Sequence, residues 1–207
     1  MSIITISRQY GSGGSEVANK VAVSLGWELL DNEIVDAVAA RLDMSAEEVE
    51  AREERVPSLV ERLASAMTLG SPEMLITGEH PMGAPTEEQM VAVTAQIVDE
   101  AVSRGNVVLV GRGAQSQLAE RTDALHVFCY APRAALIARA ARRLSVSEAE
   151  ATRIVDDTNR TREQYVRRHW NRSWQAVDNY HLCVNTSWLG IDGAAETIVR
   201  AARERLA

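Results

Sequence analysis

Arg8, Gly11, Gly13, Gly14 and Ser15 stand together in the run Ile3-Ile-Thr-Ile-Ser-Arg-Gln-Tyr-Gly-Ser-Gly-Gly-Ser15, and residues of these types in this order suit phosphate binding. Glycines take the positive φ values and allow the close backbone approach that wrapping an anion requires. The apolar periodicity that follows predicts a helix whose first N–H groups and positive dipole end face the same anion. Such a turn ordinarily reads G-x-x-x-x-G-K-[ST]. Aligned on Gly13 and Ser15, Arg8 takes the place of the opening glycine and Gly14 that of the lysine. One cation must therefore come from elsewhere, and Arg8, leaving the turn just before the glycines, is the candidate.

A second group of cations lies late in the chain, where Arg142, Arg143, Arg153, Arg160, Arg162, Arg167, Arg168 and Arg172 fall in helical surroundings. A guanidinium suits bidentate phosphate contact and charge developing on a transferring phosphoryl group. Arg153, Asp157 and Arg160 recur at i, i+4 and i+7, so one helix side would carry two cations fixed by a carboxylate. Arg112, between Gly111 and Gly113 after an apolar run, is a further candidate. Asp31 follows a short apolar run and reads equally as a ligand contact or a helix N-cap. Trp170, Trp174 and Trp188 could stack on a base, with core or lid packing the favoured reading.

The elements that must position these groups alternate strand and helix. Ile3–Ile6, Trp27–Leu30, Val107–Val110, Leu125–Tyr130 and Tyr180–Asn185 read as strands. Helical periodicity follows Ser15 as far as Gly26, begins again near Asn32, runs from Thr86 to Gly105, follows Pro132 in a first turn, and closes the chain over Ile191–Leu206. Ser45 with Glu48 makes a capping box, Leu59–Met67 is weakly helical, and Gly70–Pro85 reads as a loop or flap. This order predicts an α/β fold, a five-stranded parallel sheet with helices on both faces and a helical arginine-rich lid. Right-handed crossovers would gather Arg8–Ser15, Asp31 and Arg112 on one rim.

With 207 residues, 46% of them hydrophobic, the chain has material for one core and reads as a single domain, 1–207. A net charge of −7 argues against general affinity for nucleic acid or an anionic membrane. No signal peptide or membrane-spanning run is evident, and Cys129 and Cys183 in apolar runs read as reduced buried thiols, so a cytoplasmic location is expected. A homodimer is an open expectation, since the Val56–Met67 and Thr86–Arg104 helices could bury a partner. Gly11-Ser-Gly13 after a strand, with Asp31 about twenty positions on, also touches the dinucleotide-binding fingerprint, but Glu16 stands where its third glycine belongs.

The order of glycine turn, Asp31, Gly111-Arg112 and a late Arg-x-x-x-Asp-x-x-Arg resembles the cytidylate kinases among the P-loop nucleoside monophosphate kinases. Ile6-Ser-Arg-Gln-Tyr-Gly-Ser-Gly-Gly, Val110-Gly-Arg-Gly-Ala and Asn179-Tyr-His-Leu-Cys-Val-Asn-Thr-Ser-Trp-Leu-Gly190 are similar to the set shared by the cytidylate kinase-like family. The resemblance implies ATP and Mg²⁺ as cofactors and nucleotides as the substrates, with in-line phosphoryl transfer to a monophosphate such as CMP or dCMP. Arg8, Gln9, Tyr10, Gly11, Ser12, Gly13, Gly14 and Ser15 would cradle the ATP phosphates, with Ser15 also a metal ligand. Asp31, Arg112 and Asp157 would face the acceptor, Arg153 and Arg160 would join Arg8 in catalysis, residues 56–85 would form an acceptor-side flap and 145–172 the lid. Other small phosphorylated acceptors, or a non-catalytic nucleotide-binding module on the same fold, are the alternatives.

Overall fold

The computed structural model describes residues 1–31, 41–42, 45 and 87–206. Five parallel strands form its sheet: β1 (Ile3–Arg8), β2 (Glu28–Leu30), β3 (Val107–Val110), β4 (Ala124–Tyr130) and β5 (Leu182–Asn185), in the spatial order β2-β3-β1-β4-β5. The helices are α1 (Gly14–Leu25), α2 (Glu87–Arg104), α3 (Ala114–Gln117), α4 (Arg133–Leu144), α5 (Glu148–Trp170) and α6 (Thr186–Arg205). The alternating strand and helix pattern thus gives the expected doubly covered parallel sheet.

β1 lies at the centre because Ile3, Ile4 and Ile6 are completely buried and both of its edges are paired, with β3 in register Ile3↔Val107 and with β4 in register Ile3↔Ala124. Ile4 and Ile6 meet α1 and α6 through Val17, Val21, Ala194 and Ile198, whereas Ile3 meets α2 on the other face through Ile97, Val98 and Ala101. Each such isoleucine contributes roughly 2–3 kcal/mol by leaving water. The strand that delivers Arg8 is therefore firmly anchored. The apolar side of α2 is spent on this chain's own core, down to Val102.

Several boundaries differ from the sequence reading for local reasons. β5 starts at Leu182 because Val177–Asn179 forms a 3₁₀ turn, after which the Tyr180 hydroxyl donates to the Trp174 carbonyl at 2.6 Å. Pro132 sits at the N-cap of α4 rather than inside its first turn. The last helix begins at Thr186, capped by the Asn185 side chain, and breaks at Gly190 (φ 72°, ψ 171°), so Ile191 opens its second limb. Cys183 is exposed, contrary to expectation, because β5 is an edge strand; Cys129 is buried, and burial pushes its thiol up to about 12. Arg41 and Leu42 are helical, while the rest of the helix from Asn32, the Glu48 half of the capping box and the 56–85 flap lie outside the described residues.

His126, 2% exposed in β4, gives the fold a pH dependence. Its Nδ1 pairs with Thr5 Oγ1 at 2.8 Å, and its ring stacks on His181 at 5.0 Å. Burial, and secondarily the neighbouring His181, hold its ionisation down at about 4. The unfolded chain then binds the proton more tightly, so stability is complete above about pH 6.5 and falls as pH drops toward 4, by about 2 kcal/mol at pH 5. Urea midpoints at pH 7.5 and 5.0 should show this loss, and His126→Leu should remove most of the difference.

Candidate active site

The site is built where β1 ends. Gly11 and Gly13 are left-handed (φ 81° and 76°), Gly13 caps α1, and no side chain caps that helix, so the first-turn N–H groups point into a cleft. The loop is held from beneath. Gln9 Oε1 accepts from the Ala131 N–H at 3.1 Å, the buried Ser12 hydroxyl donates to the Gln9 carbonyl at 2.8 Å, and Thr186 Oγ1 donates to the Ser12 carbonyl at 2.7 Å. From above, Asn159 Oδ1 accepts the Tyr10 N–H at 2.8 Å and Arg162 donates to the Arg8 carbonyl at 2.8 Å.

Arg8 runs through the middle of it. A Cβ on Gly14 would collide with the Arg8 Cβ and lie 2.9 Å from its Cγ, and a Cβ on Gly111 would meet the Arg8 guanidinium. The glycine in the lysine position is thus the space that the arginine's stem needs. At its far end the guanidinium pairs with Asp31 Oδ1 at 3.2 Å, both side chains being less than a fifth exposed. Asp31 is therefore a partner of Arg8.

Gly111, Arg112 and Gly113 are left-handed in succession, with φ 72°, 53° and 71°. For the two glycines this costs little, but for Arg112 it is strain of about 1 kcal/mol or more, held where its side chain reaches the cleft. Gly113 is needed for a second reason: a Cβ there would strike the Trp170 ring. Gly111→Ala should displace the flexible end of Arg8 rather than backbone. We expect a stability loss of about 1 kcal/mol in a thermal melt and a fall of at least about tenfold in any nucleotide-dependent turnover.

Two cavities adjoin. The larger, about 490 Å³, brings together Arg8, Gln9, Tyr10, Gly11, Gly13, Gly14, Ser15, Asp31 and Arg112 with Arg143 and Arg162. The smaller, about 90 Å³, lies between the Gly111–Ser116 turn and α5, and shares Arg8, Arg112 and Arg162 with the first. Ser15 offers the larger cleft a hydroxyl, and Glu16 beside it is engaged by Arg139 at 2.6 Å. That donor set fits Mg²⁺, which keeps several waters and takes one or two protein oxygens alongside phosphate.

The late arginines divide. Arg153, Asp157 and Arg160 line neither cavity; Arg153, 74% exposed, pairs with Glu150 at 3.4 Å, and among the described residues Asp157 pairs with Arg160 and not with Arg153. One carboxylate therefore does not fix both cations. The side of α5 that faces the cavities carries Thr158, Thr161, Arg162 and Tyr165, an i, i+3, i+4, i+7 stripe one residue round from the expected one. That stripe was available in the sequence, but charge alone directed the reading to its neighbour. Trp174 is buried against Phe128, Trp170 packs over Gly113, and Trp188 stands 82% exposed, so packing accounts for two of the three tryptophans.

The cytidylate kinase-like family profile matches residues 3–188. No curated protein sequence matches the chain. Among solved structures, an uncharacterized protein from Eubacterium ventriosum is 18% identical over 99% of this chain and 100% of its own, with a TM-score of 0.72. A shikimate kinase from Acinetobacter baumannii is 16% identical over 99% and 94%, with a TM-score of 0.53, and a gluconokinase from Sinorhizobium meliloti 14% identical over 98% and 94%, with a TM-score of 0.51. At these identities the likeness is one of fold, the P-loop kinase fold, with its strand-loop-helix phosphate cradle at the end of the central strand. The family match covers the whole of the sheet and of both cavities, and the chain belongs to the cytidylate kinase-like family.

Proposed function

We propose that this protein transfers the γ-phosphoryl group of ATP to a phosphate oxygen of a nucleoside monophosphate, with CMP or dCMP the first acceptors to test. The observation that carries this reading is Arg8 lying between Gly14 and Gly111, because it returns a cation to a phosphate loop that lacks its lysine. Phosphoryl transfer asks the protein mainly for alignment and charge neutralisation. The N–H groups of Gly13–Ser15 hold the donor phosphates, Arg8 neutralises the β/γ bridge, and Arg112 and Arg162 hold the accepting phosphate where the two cavities meet. Asp31 keeps the Arg8 fork aimed until the nucleotide arrives. Ser15 would hold Mg²⁺, which when bound would supply positive charge to neutralise the donor phosphates. Nothing in this scheme needs a nucleophilic side chain.

The test is ADP release from Mg-ATP across CMP, dCMP, UMP, AMP and other small phosphorylated acceptors. Saturable turnover with one pyrimidine monophosphate supports the proposal. Saturable ATP binding with no turnover on any acceptor overturns it in favour of a non-catalytic nucleotide-binding module.

A further inference from the structure

Two buried side-chain polar atoms among the described residues lack a hydrogen-bond partner, His126 Nε2 and the hydroxyl of Tyr165, and of these two residues it is Tyr165 that lines a cavity of the site. Its hydroxyl is buried and has no hydrogen-bond partner among the described residues, while the residue lines the smaller cavity. The ring is fixed by edge contacts with His169 at 4.9 Å and Trp170 at 5.6 Å. Trp170 is locked over Gly113, and His169 is held by Glu87 at 3.0 Å. A buried hydroxyl left unpaired is costly, and an oxygen arriving in the adjoining cavity would satisfy it.

Resting on the reading above, we propose that Tyr165 recognises the acceptor: its O–H donates to an oxygen of the sugar that carries the accepting phosphate, and the smaller cavity seats that sugar. Arg8, Arg112 and Arg162 belong to both cavities, so a phosphate held at their boundary projects its attached group into the smaller one. The walls there are Gln115, Ser116, Thr158 and Thr161 around Tyr165, with Trp174 as an apolar floor. Hydroxyls and an amide both donate and accept, which matches sugar hydroxyls. Burial pushes the Tyr165 hydroxyl up to about 12, so it remains a neutral donor throughout the working range.

The experiment compares the full-length wild type with Tyr165→Phe. The expected result is an acceptor KM raised about tenfold, the size of one lost hydrogen bond, with kcat and the ATP KM within twofold of wild type. The penalty should disappear with the 2′-deoxy or 3′-deoxy monophosphate that lacks the bonded oxygen, and the melting temperature should not fall. An unchanged acceptor KM, or an ATP KM raised by the same factor, would overturn the assignment while leaving the kinase reading in place. A wild type inactive on every monophosphate removes both.

Discussion

Arg8→Ala is expected to lower kcat/KM for ATP by about a thousandfold, the scale on which an arginine at a transferring phosphoryl group acts. Arg8 sits at the end of the central strand β1, whose isoleucines are completely buried, its stem occupies the space left by Gly14, and its fork reaches Asp31. Both ends of the side chain are thus positioned before any nucleotide binds, which is what makes a cation effective in phosphoryl transfer. Arg8→Lys keeps the charge but not the planar fork, and should recover only part of the loss. Asp31→Asn leaves the cation in place with weaker aim, so its effect should be smaller than that of Arg8→Ala. Steady-state kinetics with ATP titration, alongside circular dichroism to confirm folding, decide the matter; wild-type turnover and ATP affinity in Arg8→Ala would sink the idea.

What the sequence made legible follows a physical division. The sheet could be read because strands buried on both faces are runs of Ile, Val and Leu, and Ile3–Ile6 and Val107–Val110 contain almost nothing else. The phosphate loop could be read because glycines in left-handed conformations have no common substitute. The interlock of Arg8 with Gly14 and Gly111 could not, since its outer half depends on where β3 and β1 bring Gly111 relative to the guanidinium, a contact across more than a hundred residues. The α5 face was missed because helix periodicity fixes which residues share a side but not which side meets the cleft. Arg162 and Tyr165 were chosen by the docking of α5 onto Tyr10 and Gly113, and that docking is tertiary.

The interlock has its own test in a reciprocal exchange. Gly14→Lys alone should be inactive and destabilised by about 1–3 kcal/mol, because its Cβ collides with the Arg8 stem rather than with a mobile tip. Arg8→Gly alone should lose the cation and behave like Arg8→Ala. Together the two changes convert residues 8–15 into G-x-x-x-x-G-K-S, remove the collision and return one positive charge to the loop. The double variant should therefore be more stable than Gly14→Lys and more active than either single variant, a coupling that independent sites do not show. Its activity should stay below wild type, because the Arg8–Asp31 ion pair and the packing of the Arg8 guanidinium on Gly111 are both lost. If the two losses simply multiply, then Arg8 is not the lysine's replacement, and the cation must be sought in Arg112, Arg143 or Arg162, the remaining guanidiniums of the larger cleft among the described residues.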